Sequence, residues 1–150
     1  GASALGRFDV ALLSTHLFVF YYAVLSDLTP PDAITAFAAA NLAGSEMMST
    51  GIEAFKLGMA GFLVPFAFVF QPALLLQGTL PEILKGTGLT ALGVVCLAAS
   101  LVGYVWSPLS WVHRILFIAA AALLVFPTIG MEMIGIGLAL VLFVWARIRK

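Results

Sequence analysis

The sequence predicts an all-α, multi-pass helical membrane protein whose first half contains a helix broken at Thr29-Pro30-Pro31. Composition is the first observation behind this. Of 150 residues, 63% are hydrophobic and 9% charged, with a mean hydropathy of +1.14, whereas a soluble domain carries roughly 25% charged residues. The second is that the apolar runs are long and do not alternate, which reads as helices rather than strands. The third is the stretch Ser26-Asp27-Leu28-Thr29-Pro30-Pro31-Asp32, which sets two carboxylates and two adjacent prolines between two apolar runs. Zero net charge gives no reason to expect a nucleic-acid partner, and the single Cys96, inside an apolar run, reads as a small packing residue. No nucleophile–base pair, phosphate loop or His/Cys cluster of metal spacing is visible, so neither an enzyme nor a bound cofactor is expected.

Along the chain, Arg7 and Asp9 form a short polar lead-in to an apolar run over 10–25, which has an aromatic patch at Phe18, Phe20, Tyr21 and Tyr22. Sixteen or so residues are fewer than the roughly 20 of a full crossing, so this helix is expected either to start at the interface before Val10 or to end within the membrane at the break. A second helix is expected over 33–44, rich in small residues that permit close helix approach. Thr29 would be its N-cap and Asp32 the acid of its first turn. Residues 45–56 read as an interfacial amphipathic linker carrying Glu46, Glu53 and Lys56, with Met47, Met48, Ile52 and Phe55 on the other face. A crossing follows over 57–76, with Gly58, Ala60 and Gly61 as a close-packing start, a kink at Pro65, and a kink or an end at Gln71-Pro72. Residues 77–88 read as a loop with a short helical piece over 81–85. Crossings over 89–106, 112–126 and 132–145 complete the chain, with Glu132 at an interface. The basic end (Arg147, Arg149, Lys150) argues that the C-terminus is cytoplasmic. That orientation places the 107–114 turn and the 46–56 linker on the same side and Lys85 outside. Two parts emerge: 1–77, with the broken helix and the linker, and 78–150, with three anchoring spans.

Chemistry is expected at the break. Pro30 and Pro31 have no N–H to return to the carbonyls of Ser26 and Asp27, so the first helix should end on bare acceptors. Its negative dipole end and freed carbonyls favour a cation, and a half-helix following such a break is the pattern of discontinuous membrane helices that hold ions. Ser26, Asp27, Thr29 and Pro31 supply the hard oxygen donors of a Na⁺ site. Asp32 and Thr35, at the positive start of the next helix, would lie beside an anionic substrate group. Three other readings stay open on the residues alone. The paired prolines could form an ordinary surface turn. The 46–56 helix could dock a partner, making the chain a non-transporting membrane adaptor. His16 and Asp27, three turns apart on one face, could relay a proton, although about 16 Å of axial separation leaves His16 better suited to one structural hydrogen bond.

The run from His16 to Tyr22, the Ser26–Pro31 segment, Ala36-Phe37-Ala38-Ala39-Ala40 and Leu42-Ala43-Gly44 together resemble the large permease subunit of TRAP transporters. The block from Thr50 to Leu76 resembles it further, in the fused variety that works with TAXI-type binding proteins. The resemblance covers about residues 10–78. It implies a bacterial inner-membrane permease that takes up an organic, usually carboxylate-bearing solute on a Na⁺ gradient, or on protons in some members. A periplasmic binding protein would deliver that solute. Such permeases are built from two inverted repeats and move as an elevator. With one broken-helix region, this chain is expected to be the C-terminal portion, dependent on the remainder of the permease. The resemblance places Ser26, Thr29 and Pro31 near the Na⁺ site, with Asp27 and Asp32 beside it. Asp32 departs from the small apolar residue usual after the prolines, and Asn41 and Ser45-Glu46-Met47 also differ.

Overall fold

The computed structural model describes residues 12–126 and 128–148. The polar lead-in with Arg7 and Asp9, Pro127, and the terminal Arg149 and Lys150 lie outside the described residues. Seven α-helices and two 3₁₀ turns make up the architecture among the described residues, beside one isolated bridge between Tyr104 and Pro108.

Helix α1 (Leu12–Ser26) is apolar up to its last residue apart from Ser14, Thr15 and His16. It tightens as it ends, with Asp27, Leu28 and Thr29 each donating N–H to the carbonyl three residues back. Helix α2 (Ile34–Ala43) has 10 residues, about 15 Å at 1.5 Å per residue. It starts later than the sequence suggests. Ala33, not Thr29, sits at its N-cap, no acid falls in its first turn, and Asp32 lies outside it. The reason is a separate turn over residues 29–32, in which Asp32 N–H donates to Thr29 O, so that the helix starts after it. Gly44, at φ +64°, closes α2 in the left-handed conformation that glycine adopts freely, and Ser45 N–H returns to Ala40 O.

Helix α3 (Met47–Gly58) is capped by the Glu46 carboxylate, which accepts from the N–H groups of Met48 and Ser49. It passes through a 3₁₀ turn (Met59–Phe62) directly into α4 (Leu63–Phe70). The expected boundary between linker and crossing is therefore absent, and Met47–Phe70 is one helical stretch of 24 residues. Gly58 and Met59 both stay right-handed helical, so nothing in the backbone divides them. Pro65 falls in the first turn of α4, where a missing N–H is tolerated, and the irregularity is taken up by the 3₁₀ turn before it. Of the kink or end expected at Gln71-Pro72 the structure has the end: the stretch stops at Gln71, and a short 3₁₀ turn (Pro72–Leu75) follows.

Helix α5 (Leu80–Val102) replaces the expected loop and shorter crossing with 23 continuous residues. It begins at a capping box in which the Glu82 carboxylate accepts from Thr79 N–H at 2.7 Å. Helices α6 (Trp111–Val125) and α7 (Ile129–Ile148) follow. Met47–Phe70, Leu80–Val102 and Ile129–Ile148 are long and apolar enough to cross a membrane. The core lies among α5, α6 and α7, centred on Phe117, Leu124 and Cys96, all fully buried.

Helices α1 and α2 form one arm of an antiparallel hairpin and α3–α4 the other. Phe18 meets Phe66 (centroids 5.4 Å) and Tyr22 meets Phe62 (5.6 Å), while the Tyr22 hydroxyl donates to Phe62 O at 3.1 Å. Further down, Gly61 faces Leu25 and Tyr21, Gly58 faces Leu28, and Gly51 faces Pro30, Ala33 and Phe37. The hairpin joins the bundle where Phe70 packs on Phe126 and Gly93 lies against Leu63.

Candidate functional site: the broken helix

The ladder of partners fixes where the break sits. Its residues lie opposite Gly51 to Gly58, about 6–17 Å along the returning arm from Met47. The hairpin tip is at Gly44, beyond the end of α2. The break therefore interrupts one arm of the hairpin part-way along, with α2 continuing past it toward the tip.

Gly51 is what lets the arms meet here. A Cβ at that position would stand 2.9 Å from Phe37 Cε1 and 3.5 Å from both Ala33 Cβ and Pro30 Cγ. Small residues allow such approach, and Ala33, Ala36 and Ala40 are buried on the facing side.

The carbonyls expected to be bare have partners. Ser26 O accepts Thr29 N–H at 2.9 Å, and Asp27 O accepts the Thr35 hydroxyl at 2.8 Å. The second bond spans the break, because Thr35 belongs to α2 and Asp27 follows α1. Two further hydroxyls turn the same way, Ser26 Oγ donating to Ala23 O at 2.6 Å and Thr29 Oγ1 to Leu25 O at 3.0 Å. Each hydroxyl thus spends its only hydrogen on backbone, and its oxygen is left to act solely as an acceptor. Ser26, Asp27, Pro31, Asp32 and Thr35 are exposed in this chain, and Thr29 is half-buried. The Asp27 and Asp32 carboxylates stand in the same segment, and of the candidate residues the structure brings Thr35 and Asp27 into contact across the break. His16 is exposed and makes no hydrogen bond among the described residues, so neither the relay nor the expected structural bond is seen.

A second polar focus escaped the sequence reading. Gln71, buried in the irregular segment after α4, donates through Nε2 to Leu124 O (3.2 Å) and Val125 O (3.0 Å) at the end of α6. Beside it, Glu132 is not interfacial but buried, paired with Lys85 at 2.5 Å. These groups, with Gln77 and Glu82, line a cavity of about 360 Å³. A glutamine inside an apolar run was the available signal, since a buried amide must find partners.

An all-α chain with three membrane-length helices and a hairpin arm broken at paired prolines defines a membrane protein of the discontinuous-helix kind. Residues 2–83 match the family model described as Tripartite ATP-independent periplasmic transporter, DctM component. The chain belongs to that family, which is one of transporters rather than enzymes, and the match contains the whole broken helix. No curated protein and no solved structure matches the chain.

Proposed function

We propose that the chain forms the part of a TRAP-type permease that holds the coupling ion, with Ser26, Asp27, Thr29 and Pro31 contributing to a Na⁺ site. The observation that carries this is the run of three hydroxyls, Ser26, Thr29 and Thr35, each donating to backbone around a break set within the hairpin. When bound, Na⁺ would supply the positive charge that draws an anionic solute and couples its entry to the ion gradient. The chain's own residues do the rest. The Thr35–Asp27 bond holds the start of α2 against the end of α1, so a ligand at one half is felt by the other. Asp32 and Thr35 are the substrate-adjacent residues of this proposal, and the extra negative charge of Asp32 would narrow which solutes are accepted or favour a proton as coupling ion. On this reading the protein is a bacterial inner-membrane, multi-pass permease of inverted-repeat, elevator type. It is supplied by a periplasmic solute-binding protein, of the TAXI type in the fused variety, and completed by the remainder of the permease.

The test is solute uptake by the complete permease at varied Na⁺. Thr29→Val and Pro31→Ala should each raise the Na⁺ needed for half-maximal uptake. Glu82→Gln should not, because glutamine also completes a capping box. Unchanged Na⁺ dependence in both loop variants would sink the ion-site reading.

A further inference from the structure

The end of the bundle formed by the last turn of α5, the 103–110 loop, the start of α6 and the end of α7 is unlike the rest of the molecule. All three tryptophans of the chain are there. Trp106 lies 6.1 Å from Phe143, Trp145 stacks on His113 at 3.5 Å, and Trp111 is largely exposed at the head of α6. Two guanidinium groups join them, Arg114 at 5.1 Å from the Trp111 ring and Arg147 at 5.5 Å from that of Trp106. Tryptophans gathered at one level of a membrane helix bundle mark the headgroup layer.

Charge at this end is unbalanced. From residue 83 onward the sequence contains one acid, Glu132, and it pairs with Lys85 at the other end of the bundle. Arg114 and Arg147 have no carboxylate partner among the described residues. Arg114 is nonetheless held in place, donating Nε–H to Ser100 O at 2.7 Å and Nη2–H to Leu101 O at 2.6 Å, where α5 ends and its last carbonyls lack helical partners. Those two bonds use two of its five N–H groups, and the other three have no partner among the described residues. The guanidinium is therefore a fixed cation with donors to spare. Below it runs a groove of about 250 Å³, lined by Leu101, Trp111, Ile115 and Ile118 as well as Ser100 and Arg114, with Ile115 62% and Ile118 45% exposed.

We propose that this groove is a binding site for an anionic glycerophospholipid, its phosphate on the free N–H groups of Arg114 beside Trp111 and an acyl chain along Ile115 and Ile118. Charge complementarity selects the occupant: the cations here have no acid of their own, and the wall below them is aliphatic and faces outward. A basic pocket between membrane helices with an apolar floor is the form such headgroup sites take. The inference is independent of the ion-site reading, because it involves none of the same residues.

Native mass spectrometry of the complete permease in detergent, titrated with phosphatidylglycerol, phosphatidylcholine or inorganic phosphate, tests it. Phosphatidylglycerol adducts should form at about fivefold lower concentration than phosphatidylcholine adducts, whose choline cation offsets the phosphate beside Arg114, a net-charge difference worth about 1 kcal/mol. Arg114→Gln should abolish that preference. Because Arg114 also ties down the end of α5, Ile118→Trp, which fills the groove and leaves every Arg114 bond in place, should independently lower adduct formation. Equal binding of the two lipids, or adducts unaffected by Ile118→Trp, would overturn the proposal. Inorganic phosphate competing as well as the lipid would also overturn it, by reducing the site to one for an anion alone.

Discussion

In the hairpin of α1 to α4 the helices meet across glycines, alanines and aromatic rings, whereas in the α5–α7 bundle they meet around a buried aliphatic and aromatic core fastened by polar contacts. The difference lies in what each region can tolerate. Close approach over small residues depends on shape, so the hairpin should be sensitive to added volume and indifferent to most polar changes. The bundle has Phe117 and Leu124 to hold it and can absorb a change of volume, but its buried carboxylate and its helix ends depend on named partners.

The largest effect that would break this comparison is at Gly51. A single added carbon already meets the Phe37 ring at 2.9 Å, so Gly51→Leu must force the arms apart beside the break. It should destabilise the protein by about 3 kcal/mol, the upper part of the overpacking range. Thermal unfolding in detergent measures this, and adding Phe37→Ala should recover much of the loss, because the two changes act on one contact. If Gly51→Leu melts with the parent, the arms are not held by close approach.

Next in size is the ion pair of the bundle. The Glu132 side chain is 8% exposed and that of Lys85 is 55% exposed. Lys85→Met strands the carboxylate and should cost about 2 kcal/mol, discounted from the value for a fully buried pair because water reaches the lysine. Adding Glu132→Gln should return most of it. A double variant no more stable than Lys85→Met alone would show that the pair is not what fastens α5 to α7.

These regions also differ in how readily the sequence revealed them. The break was legible, because two prolines remove N–H groups at a known spacing and no other residue does so. So was the close packing at Gly58, Ala60 and Gly61, where Gly58 faces Leu28, Gly61 faces Leu25 and Tyr21, and Ala60 is buried. The start of α2 is not legible, because Thr29 has the right chemistry for a cap but sits ahead of the turn that Asp32 N–H closes on Thr29 O. The start of α5 is masked in the sequence although Thr79 and Glu82 stand at capping-box spacing, since Gly78, Gly86 and Gly88 make the surrounding stretch read as loop. The Gln71 and Lys85–Glu132 contacts join residues 53, 54 and 47 positions apart, and no local pattern announces such pairings.

The smallest of these effects tests how the two regions are joined. Gln71 belongs to the end of the hairpin, and its amide reaches carbonyls at the end of α6, so it is a polar contact of the bundle's kind placed on the hairpin. Gln71→Leu keeps the volume and removes both donors. The freed carbonyls of Leu124 and Val125 lie at a helix end beside the 360 Å³ cavity, where water can replace part of what is lost. The expected destabilisation is therefore only about 1 kcal/mol, the net value of an ordinary hydrogen bond. Hydrogen exchange locates it better than melting does. Faster exchange over 72–79 and around Val125, with the Gly51 region unchanged, would mean that the junction loosens while each region stays intact. Faster exchange spreading through α1 and α2 would instead show that the hairpin draws its order from the bundle, and the division between the two regions would fail.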